Sequence, residues 1–123
     1  SDLDVSTGDK VYDLGCGDGR LLIAAAKRGA DAIGYEYSLP TYLLARLRTR
    51  NYATIQVYWG DFWKREYRDA DVICCYLLKE KMVDFEKQIW PTLKKGTRVI
   101  SHTFEMPTVK HVKKEGGGIL YVK

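Results

Sequence analysis

Apolar residues along the chain come in short runs whose spacing alternates between strand-like and helix-like. The β-prone run Lys10–Leu14 leads directly into a glycine-rich loop. The Leu- and Ala-rich segment Arg20–Arg28 is followed by Gly29, which is typical of a helix with a glycine just past its end. A second strand is expected within Asp31–Tyr37, so the first third of the chain predicts a strand–helix–strand unit.

The next segment carries the signals of a second helix. Ser38 is suited to cap its start, and Pro40 fits its first turn. Leu39, Leu43 and Leu47 follow four residues apart. That spacing predicts one buried stripe along the helix.

The middle of the chain predicts two further strands and a third helix. Thr54–Tyr58 is expected to be a strand, and Phe62–Asp69 only a short polar connection. Asp71–Leu78 is the most apolar run and predicts a central strand buried on both faces. A third helix is expected to end at Gly96 and to be bent or shortened by Pro91. Its predicted apolar positions recur at helical spacing: Met82, Phe85, Ile89 and Leu93.

The end of the chain predicts a fifth strand at Thr97–Phe104 and a closing antiparallel hairpin. The hairpin strands are expected at Val109–Lys113 and Ile119–Val122, on either side of Gly116–Gly118. Alternating strands and helices predict an α/β fold, a Rossmann-like sheet of mostly parallel strands with helices on both faces. We expect residues 1–123 to form one domain, with any ligand bound beyond the carboxyl ends of the strands.

Composition narrows the classes of protein. None of the 123 residues belongs to a run near the ~20 apolar residues of a membrane span, and no secretory leader is expected. Three cysteines, two of them adjacent, do not suggest disulfides, so a cytoplasmic protein without a structural zinc site is predicted. The net charge of +4 is mild, so solvated faces are favoured over an acidic or nucleic-acid partner for the basic clusters at Arg46–Arg50 and Lys110–Lys114.

The loop Asp13–Gly19 is the first candidate for chemistry. Its glycines allow a tight turn and a close approach of the backbone to a ligand. A helix follows at once, so N–H groups near its start can meet an anionic group such as a methionine-type carboxylate. Taken alone, the loop is weak evidence for a ligand, and an ordinary turn between strand and helix is the less favoured alternative.

Two acidic residues strengthen the case for a ligand. Glu36 follows Gly15 by 21 residues, at the end of the second strand, where an acid accepts hydrogen bonds from ribose hydroxyls. Asp61 follows the third strand and could accept from an adenine amino group, with the ring of Tyr37 or Phe62 against the base. The alternatives are a surface carboxylate at Glu36 and a turn or cap residue at Asp61.

The Asp-x-Gly-x-Gly-x-Gly loop, followed by Glu36 and Asp61, resembles the class I (seven-β-strand) S-adenosylmethionine-dependent methyltransferases. The stretches Val11–Arg20 and Lys95–His102 are similar to the archaeal broad-specificity protein lysine methyltransferases and to the related ATP synthase c-subunit lysine methyltransferases. The resemblance implies S-adenosyl-L-methionine as cofactor. The predicted cofactor-binding residues are Asp13, Gly15, Cys16, Gly17, Glu36, Tyr37, Asp61 and Phe62.

Two departures from the family pattern bear on function. Members carry an N-terminal helical segment that covers the cofactor, whereas only Ser1–Asp9 precede the first strand here, so either a trimmed lid or a lid supplied by another chain is expected. The fourth strand ends in Cys75–Lys79 rather than in the Asn/Asp-Pro-Pro-Tyr/Phe of enzymes that methylate nucleobases or glutamine. A nucleic-acid substrate is therefore not favoured, although it stays open.

Tyr76, at the end of the fourth strand, is the candidate catalytic residue, shaping the channel of the acceptor amine; simple packing is the alternative. His102 could act as a base, but a hydrogen-bonded structural histidine is the preferred interpretation. Glu105 could attract a lysine, and the tryptophans are expected to pack. The resemblance implies methyl transfer to protein lysine; the alternatives are an RNA or small-molecule methyltransferase, or a cofactor-binding sensor or partner subunit without turnover.

Overall fold

The computed structural model describes residues 5–123, so residues 1–4 of the predicted domain lie outside the described part. The strands are β1 (Lys10–Leu14), β2 (Asp31–Glu36), β3 (Ile55–Trp59), β4 (Val72–Cys75), β5 (Arg98–His102), β6 (Lys113–Glu115) and β7 (Gly118–Val122). The helices are α1 (Arg20–Lys27), α2 (Leu39–Thr49) and α3 (Lys79–Gln88), with short 3-10 turns at Phe62–Lys64 and Trp90–Thr92.

The strands form one sheet in the order β3-β2-β1-β4-β5-β7-β6. Strands β1 to β5 run parallel, whereas β7 is antiparallel to both β5 and β6. The chain moves outward from β1 to β3 and then crosses back to β4, so the strand order reverses between β1 and β4. The predicted parallel sheet with a closing antiparallel hairpin is confirmed.

Strand β4 lies at the centre and is buried on both faces, as its apolar sequence predicts. Val72 and Cys74 face the cluster that contains Leu22 of α1 and Ala45 of α2. The alternate residues of β4 face a second cluster, which contains the buried side chains of α3. The sheet is therefore covered by helices on both faces.

The predicted buried stripe on α2 is wrong. Leu39, Leu43 and Leu47 are 42%, 56% and 56% exposed, and α2 turns Ala45 and Thr49 to the sheet instead. The reason is that α2 packs against the start of α1. A Cβ atom at Gly19 would lie 3.0 Å from Thr49 Cγ2, a distance that leaves no space for leucine side chains on the packed face.

The connections around β4 also differ from prediction. β4 ends at Cys75, so residues 76–78 leave the sheet earlier than expected. The segment predicted as a polar connection contains a 3-10 turn and the fully buried Tyr67. The Tyr67 hydroxyl donates to the Phe62 carbonyl, and its ring packs edge-on against Tyr12 at 5.1 Å. This segment is part of the core.

Helix α3 ends at Gln88, and Pro91 lies in the following 3-10 turn. Gly96 therefore does not end the helix but lies in the turn before β5, with φ +92°. The expected shortening is confirmed, as is burial of the four predicted apolar residues: Met82, Phe85, Ile89 and Leu93.

The hairpin forms, but its first strand begins four residues later than predicted. The predicted start of that strand is bonded to α3 instead, because the Glu86 carboxylate accepts hydrogen bonds from the amides of Thr108 and Val109. Gly116 and Gly117 make the turn, both at positive φ, whereas Gly118 is already in β7.

The three cysteines, Cys16, Cys74 and Cys75, are free and buried. Burial raises the pKa of the Cys74 and Cys75 thiols, which act as small apolar side chains as predicted. Among residues 5–123, no helix has the length and apolar character that crossing a membrane requires.

Candidate functional site

The carboxyl ends of four parallel strands meet at one edge of the sheet. Leu14 of β1 is in register with Tyr35 of β2 and with Cys75 of β4, and Cys75 is in register with Ser101 of β5. The residues that follow these positions therefore share one edge, next to the point where strand order reverses. This is where ligands bind in sheets of this kind.

The glycine loop after β1 forms an open cradle. Gly15 and Gly17 have φ +77° and +57°, which side chains other than glycine rarely adopt. A Cβ atom at either position would have no atom within 4 Å. The loop backbone is therefore exposed to an approaching ligand.

Three amides of this loop are bonded within the protein. Gly15 N and Cys16 N both donate to the Tyr35 carbonyl at 2.9 Å. Gly17 N donates to Glu36 Oε1 at 2.9 Å. The next amides are bonded too, because Gly19 N donates to the Cys16 carbonyl and Arg20 N donates to Asp18 Oδ1. Of the loop amides, only that of Asp18 is left for an anionic group among the bonds within residues 5–123.

Cys16 holds the loop against β2. Its side chain is 6% exposed and packs beside Gly34. A Cβ atom at Gly34 would lie 2.8 Å from Cys16 Sγ and 2.6 Å from Leu22 Cδ1, so only glycine fits. Burial raises the pKa of the Cys16 thiol to about 12, so Cys16 is a packing group and not a nucleophile.

Glu36 joins the loop to the start of α2. Oε1 accepts from Gly17 N, and Oε2 accepts from Ser38 N at 2.9 Å. Ser38 is at the N-cap position, but its side chain makes no capping bond, so the expected cap is wrong. Each carboxylate oxygen keeps a second lone pair for a ligand hydroxyl.

Asp13 is a buried carboxyl group under the loop. It is 7% exposed and has no hydrogen-bond partner among residues 5–123. Burial, together with the nearby Glu36 charge, raises the pKa of Asp13 to about 7. A buried acid with a shifted pKa is a candidate for a functional group, and a ligand cation would stabilise its charged form.

Asp61, Phe62 and Tyr37 lie beyond the ends of β3 and β2. Asp61 Oδ1 accepts from Trp63 N at 2.9 Å and so caps the 3-10 turn, while Oδ2 has no partner among the residues described. Phe62 is partly buried, with its ring centroid 4.7 Å from that of Trp63. Tyr37 is 79% exposed. Trp59, expected to pack, is exposed too, although its indole N–H donates to the Tyr37 carbonyl.

Tyr76 and His102 lie side by side at the ends of β4 and β5, with ring centroids 6.0 Å apart and planes 15° apart. Tyr76 is largely exposed, so it is not a packed core residue. The His102 ring has no hydrogen-bond partner within residues 5–123, so the hydrogen-bonded structural role stays a prediction. Burial lowers the pKa of His102. Glu105 is paired with Lys114 at 3.3 Å and with His111 at 3.1 Å.

Thr103, next to His102, has a backbone conformation that the sequence does not reveal. Its φ of +78° is the only positive φ at a non-glycine residue in the described part. Phe104 N donates to the His102 carbonyl at 3.0 Å, which closes a strained γ-turn around Thr103. Nothing marks this turn in the sequence, because threonine is disfavoured in the left-handed region.

The sheet order, the open glycine loop after β1 and the acid after β2 define a methyltransferase-type domain. Residues 13–113 match the family model described as the ANTKMT methyltransferase domain. The chain belongs to this family, and the family resemblance predicted from the glycine loop is confirmed.

Two curated relatives match most of the chain. The protein-lysine N-methyltransferase of Saccharolobus islandicus is 37% identical over 108 residues, covering 83% of this chain and 66% of that protein. The human ATP synthase c-subunit lysine N-methyltransferase is 33% identical over 111 residues, covering 86% of this chain and 48% of that protein. The chain thus spans about half to two thirds of the length of these relatives.

A solved structure gives a further comparison. It is that of an RNA methyltransferase from Salinibacter ruber, in complex with S-adenosyl-L-homocysteine. The TM-score is 0.86 at 30% identity, with 96% of this chain and 81% of that chain covered.

Proposed function

We propose that the chain is an S-adenosylmethionine-dependent methyltransferase domain, spanning residues 1–123, that methylates lysine amines of a protein substrate. Membership of the family and the names of the two curated relatives support this proposal. The observation that carries it is the open cradle of Gly15 and Gly17, tied to Glu36 and lying over the buried Asp13 carboxyl group.

The residues present fit S-adenosylmethionine. The open backbone of Gly15 and Gly17 allows close approach, and the remaining lone pairs of Glu36 suit ribose hydroxyls. Asp13 suits the amino group of the methionine part, because a buried carboxyl group with no hydrogen-bond partner within residues 5–123 is stabilised in its charged form by a cation. Asp61 Oδ2 suits the adenine amino group. The Tyr37 and Phe62 rings, with Cys16 beside the loop, complete the proposed pocket.

Bound S-adenosylmethionine supplies a methyl group on a positively charged sulfur, and the chain's own residues orient the acceptor. Orientation is the main source of rate in an in-line displacement. Tyr76 is exposed at the end of β4 and lines the entrance for the amine. The His102 ring lies beside Tyr76, with the two ring centroids 6.0 Å apart, and a ring nitrogen there is placed to accept the proton that the lysine must lose.

Methyl transfer to protein lysine tests this function. The chain is incubated with S-adenosylmethionine carrying a labelled methyl group and a protein extract, and methylated lysines are located by mass spectrometry. Label on protein lysines is expected. The rate of labelling should fall at least tenfold in Glu36→Ala and should be unchanged in the surface control Glu66→Ala. Cofactor binding without label on any protein would contradict the proposal.

An RNA methyltransferase is the second candidate, supported by the likeness to the Salinibacter ruber RNA methyltransferase, which extends over nearly the whole chain. The same labelled reaction with total RNA separates the two functions: label that enters RNA and no protein favours this candidate. Binding of S-adenosylmethionine with no transfer to either would instead favour a cofactor-binding sensor or partner subunit.

A further inference from the structure

A groove separates α2 from the outer edge of the sheet. It has a volume of about 650 Å³. We call it the α2–β3 groove and define it by Leu43, Arg46, Leu47, Arg50, Val57 and Tyr58. It lies apart from the glycine loop and contains none of the proposed cofactor-binding residues.

The groove carries an apolar surface that the fold leaves uncovered. Leu43 and Leu47 are each 56% exposed, and Tyr58 is 43% exposed. Leu39 and Leu44 extend the apolar surface along the same helix. Clustered apolar side chains, unlike single ones, mark an interaction surface.

The charge of the groove is positive and uncompensated. Arg46 donates to the Tyr42 hydroxyl, and Arg50 donates to the Leu47 carbonyl. Neither guanidinium has a carboxylate partner among residues 5–123. Helix α2 has no acidic residue to neutralise them. A partner that also carries carboxylates would complement this surface.

The sheet edge beside the groove is available for pairing. Within residues 5–123, β3 is the terminal strand of the sheet and pairs only with β2. Alternate N–H and C=O groups of a strand at the edge of a sheet point away from it and can pair with an added chain. Added strands of this kind gain affinity from the main chain and specificity from side-chain contacts.

We propose that the α2–β3 groove binds an extended acidic segment of the protein substrate as an added strand on β3. This inference rests on the proposed function. Main-chain groups of the segment would pair with β3, its apolar side chains would cover Leu43 and Leu47, and its carboxylates would meet Arg46 and Arg50.

Two other occupants fit less well. A second copy of the chain, paired across a two-fold axis, would place its Arg46 and Arg50 near the same residues of the first copy. A lipid surface would cover the leucines but leave the outward main-chain groups of β3 without partners. An acidic extended segment satisfies the arginines, the leucines and the strand edge together.

The place of the groove links it to the site. Trp59, at the carboxyl end of β3, is in register with Glu36. A segment paired with β3 therefore ends at the same edge of the sheet as the cradle. The groove would hold the substrate protein while a lysine near the acidic segment reaches Tyr76.

The test uses an acetylated nonapeptide in which pairs of glutamates and pairs of valines alternate along the sequence. Because side chains of an extended peptide point to opposite faces in turn, each face then carries glutamate and valine. Its binding is measured by calorimetry and mapped by amide NMR shifts. Binding centred on β3 and α2 is expected. A peptide with lysine in place of glutamate should bind at least about tenfold more weakly. N-methyl groups on alternate amides should abolish binding when placed on one edge of the peptide but not on the other.

A pair of charge-reversal variants provides the matched control. Arg46→Glu combined with Arg50→Glu should weaken peptide binding at least about tenfold. Lys27→Glu combined with Lys87→Glu makes the same change in net charge on α1 and α3. This control should keep the peptide affinity within about twofold of that of the native protein. Both variants should keep the native circular dichroism spectrum and unchanged S-adenosylmethionine affinity.

Several outcomes would overturn the inference. Equal binding of the acidic and basic peptides would do so, as would equal effects of the two double variants. Binding to vesicles that contain phosphatidylglycerol, without binding to the peptide, would assign the groove to lipid. A dimer whose amide NMR shifts map its contacts to α2 and β3 would assign the groove to a second copy. Methylation of a short lysine peptide is measured in parallel, because its presence with no groove binding would leave the proposed function standing.

Discussion

Asp13 is a carboxyl group that the fold buries at the end of β1 without a hydrogen-bond partner among residues 5–123. Because burial raises the pKa of Asp13 to about 7, the folded protein holds a proton there that the unfolded chain has lost above about pH 4. The contribution of Asp13 to stability is therefore expected to fall as pH rises from about 4 to 7, and the full cost persists above pH 7.

The variant Asp13→Asn should remove this cost. Its gain in free energy of unfolding over the native protein should be small near pH 4.5 and reach about 1–3 kcal/mol at pH 8. Urea unfolding at the two pH values measures the difference. A gain that does not change with pH would show that Asp13 is ionised in the folded protein at both values.

Thr103 carries backbone strain beside the proposed acceptor entrance. Thr103→Gly should relieve it and stabilise the protein by about 1 kcal/mol, because the exposed threonine side chain contributes little packing. Thr103→Ala keeps the Cβ atom and should give a smaller gain. The two are compared by urea unfolding, and a loss of stability in Thr103→Gly would mean that the γ-turn is unstrained.

At the scale of elements, helix α2 shows why sequence periodicity predicted a helix but not its packed face. Leucines four residues apart correctly predicted the helix. Its buried face is decided by the close approach of Gly19, which admits Ala45 and Thr49 only. The same limit applies to Tyr67, whose burial depends on contacts with Tyr12, a residue distant in the sequence.

Two leucine truncations test this assignment. Leu43→Ala should change the free energy of unfolding by about 0.5 kcal/mol or less, because Leu43 is exposed. Leu22→Ala is the matched truncation on α1, where the side chain is fully buried, and should cost about 2–5 kcal/mol. Denaturant unfolding of both variants is the measurement. Comparable losses of unfolding free energy would show that the leucines of α2 are buried in the core.

At the scale of the whole molecule, the order of strands and helices could be predicted because each strand or helix has its own local pattern. The candidate site residues at the strand ends follow from that order, since parallel strands bring their carboxyl ends to one edge. The segment between β5 and β6 could not be predicted, because Glu86 of α3 holds it through long-range hydrogen bonds. The stacking of the Tyr76 and His102 rings could not be predicted either, because it depends on the register of β4 and β5.

The central claim is that the carboxyl edge of this sheet binds S-adenosylmethionine through the cradle and Glu36. Calorimetric titration of the protein with S-adenosylmethionine measures it most directly. One site per chain is expected, with affinity reduced about 10–100-fold in Glu36→Ala and unchanged in Glu66→Ala. A folded protein that binds no S-adenosylmethionine, or a Glu36→Ala variant that binds it as tightly as the native protein, would contradict the claim.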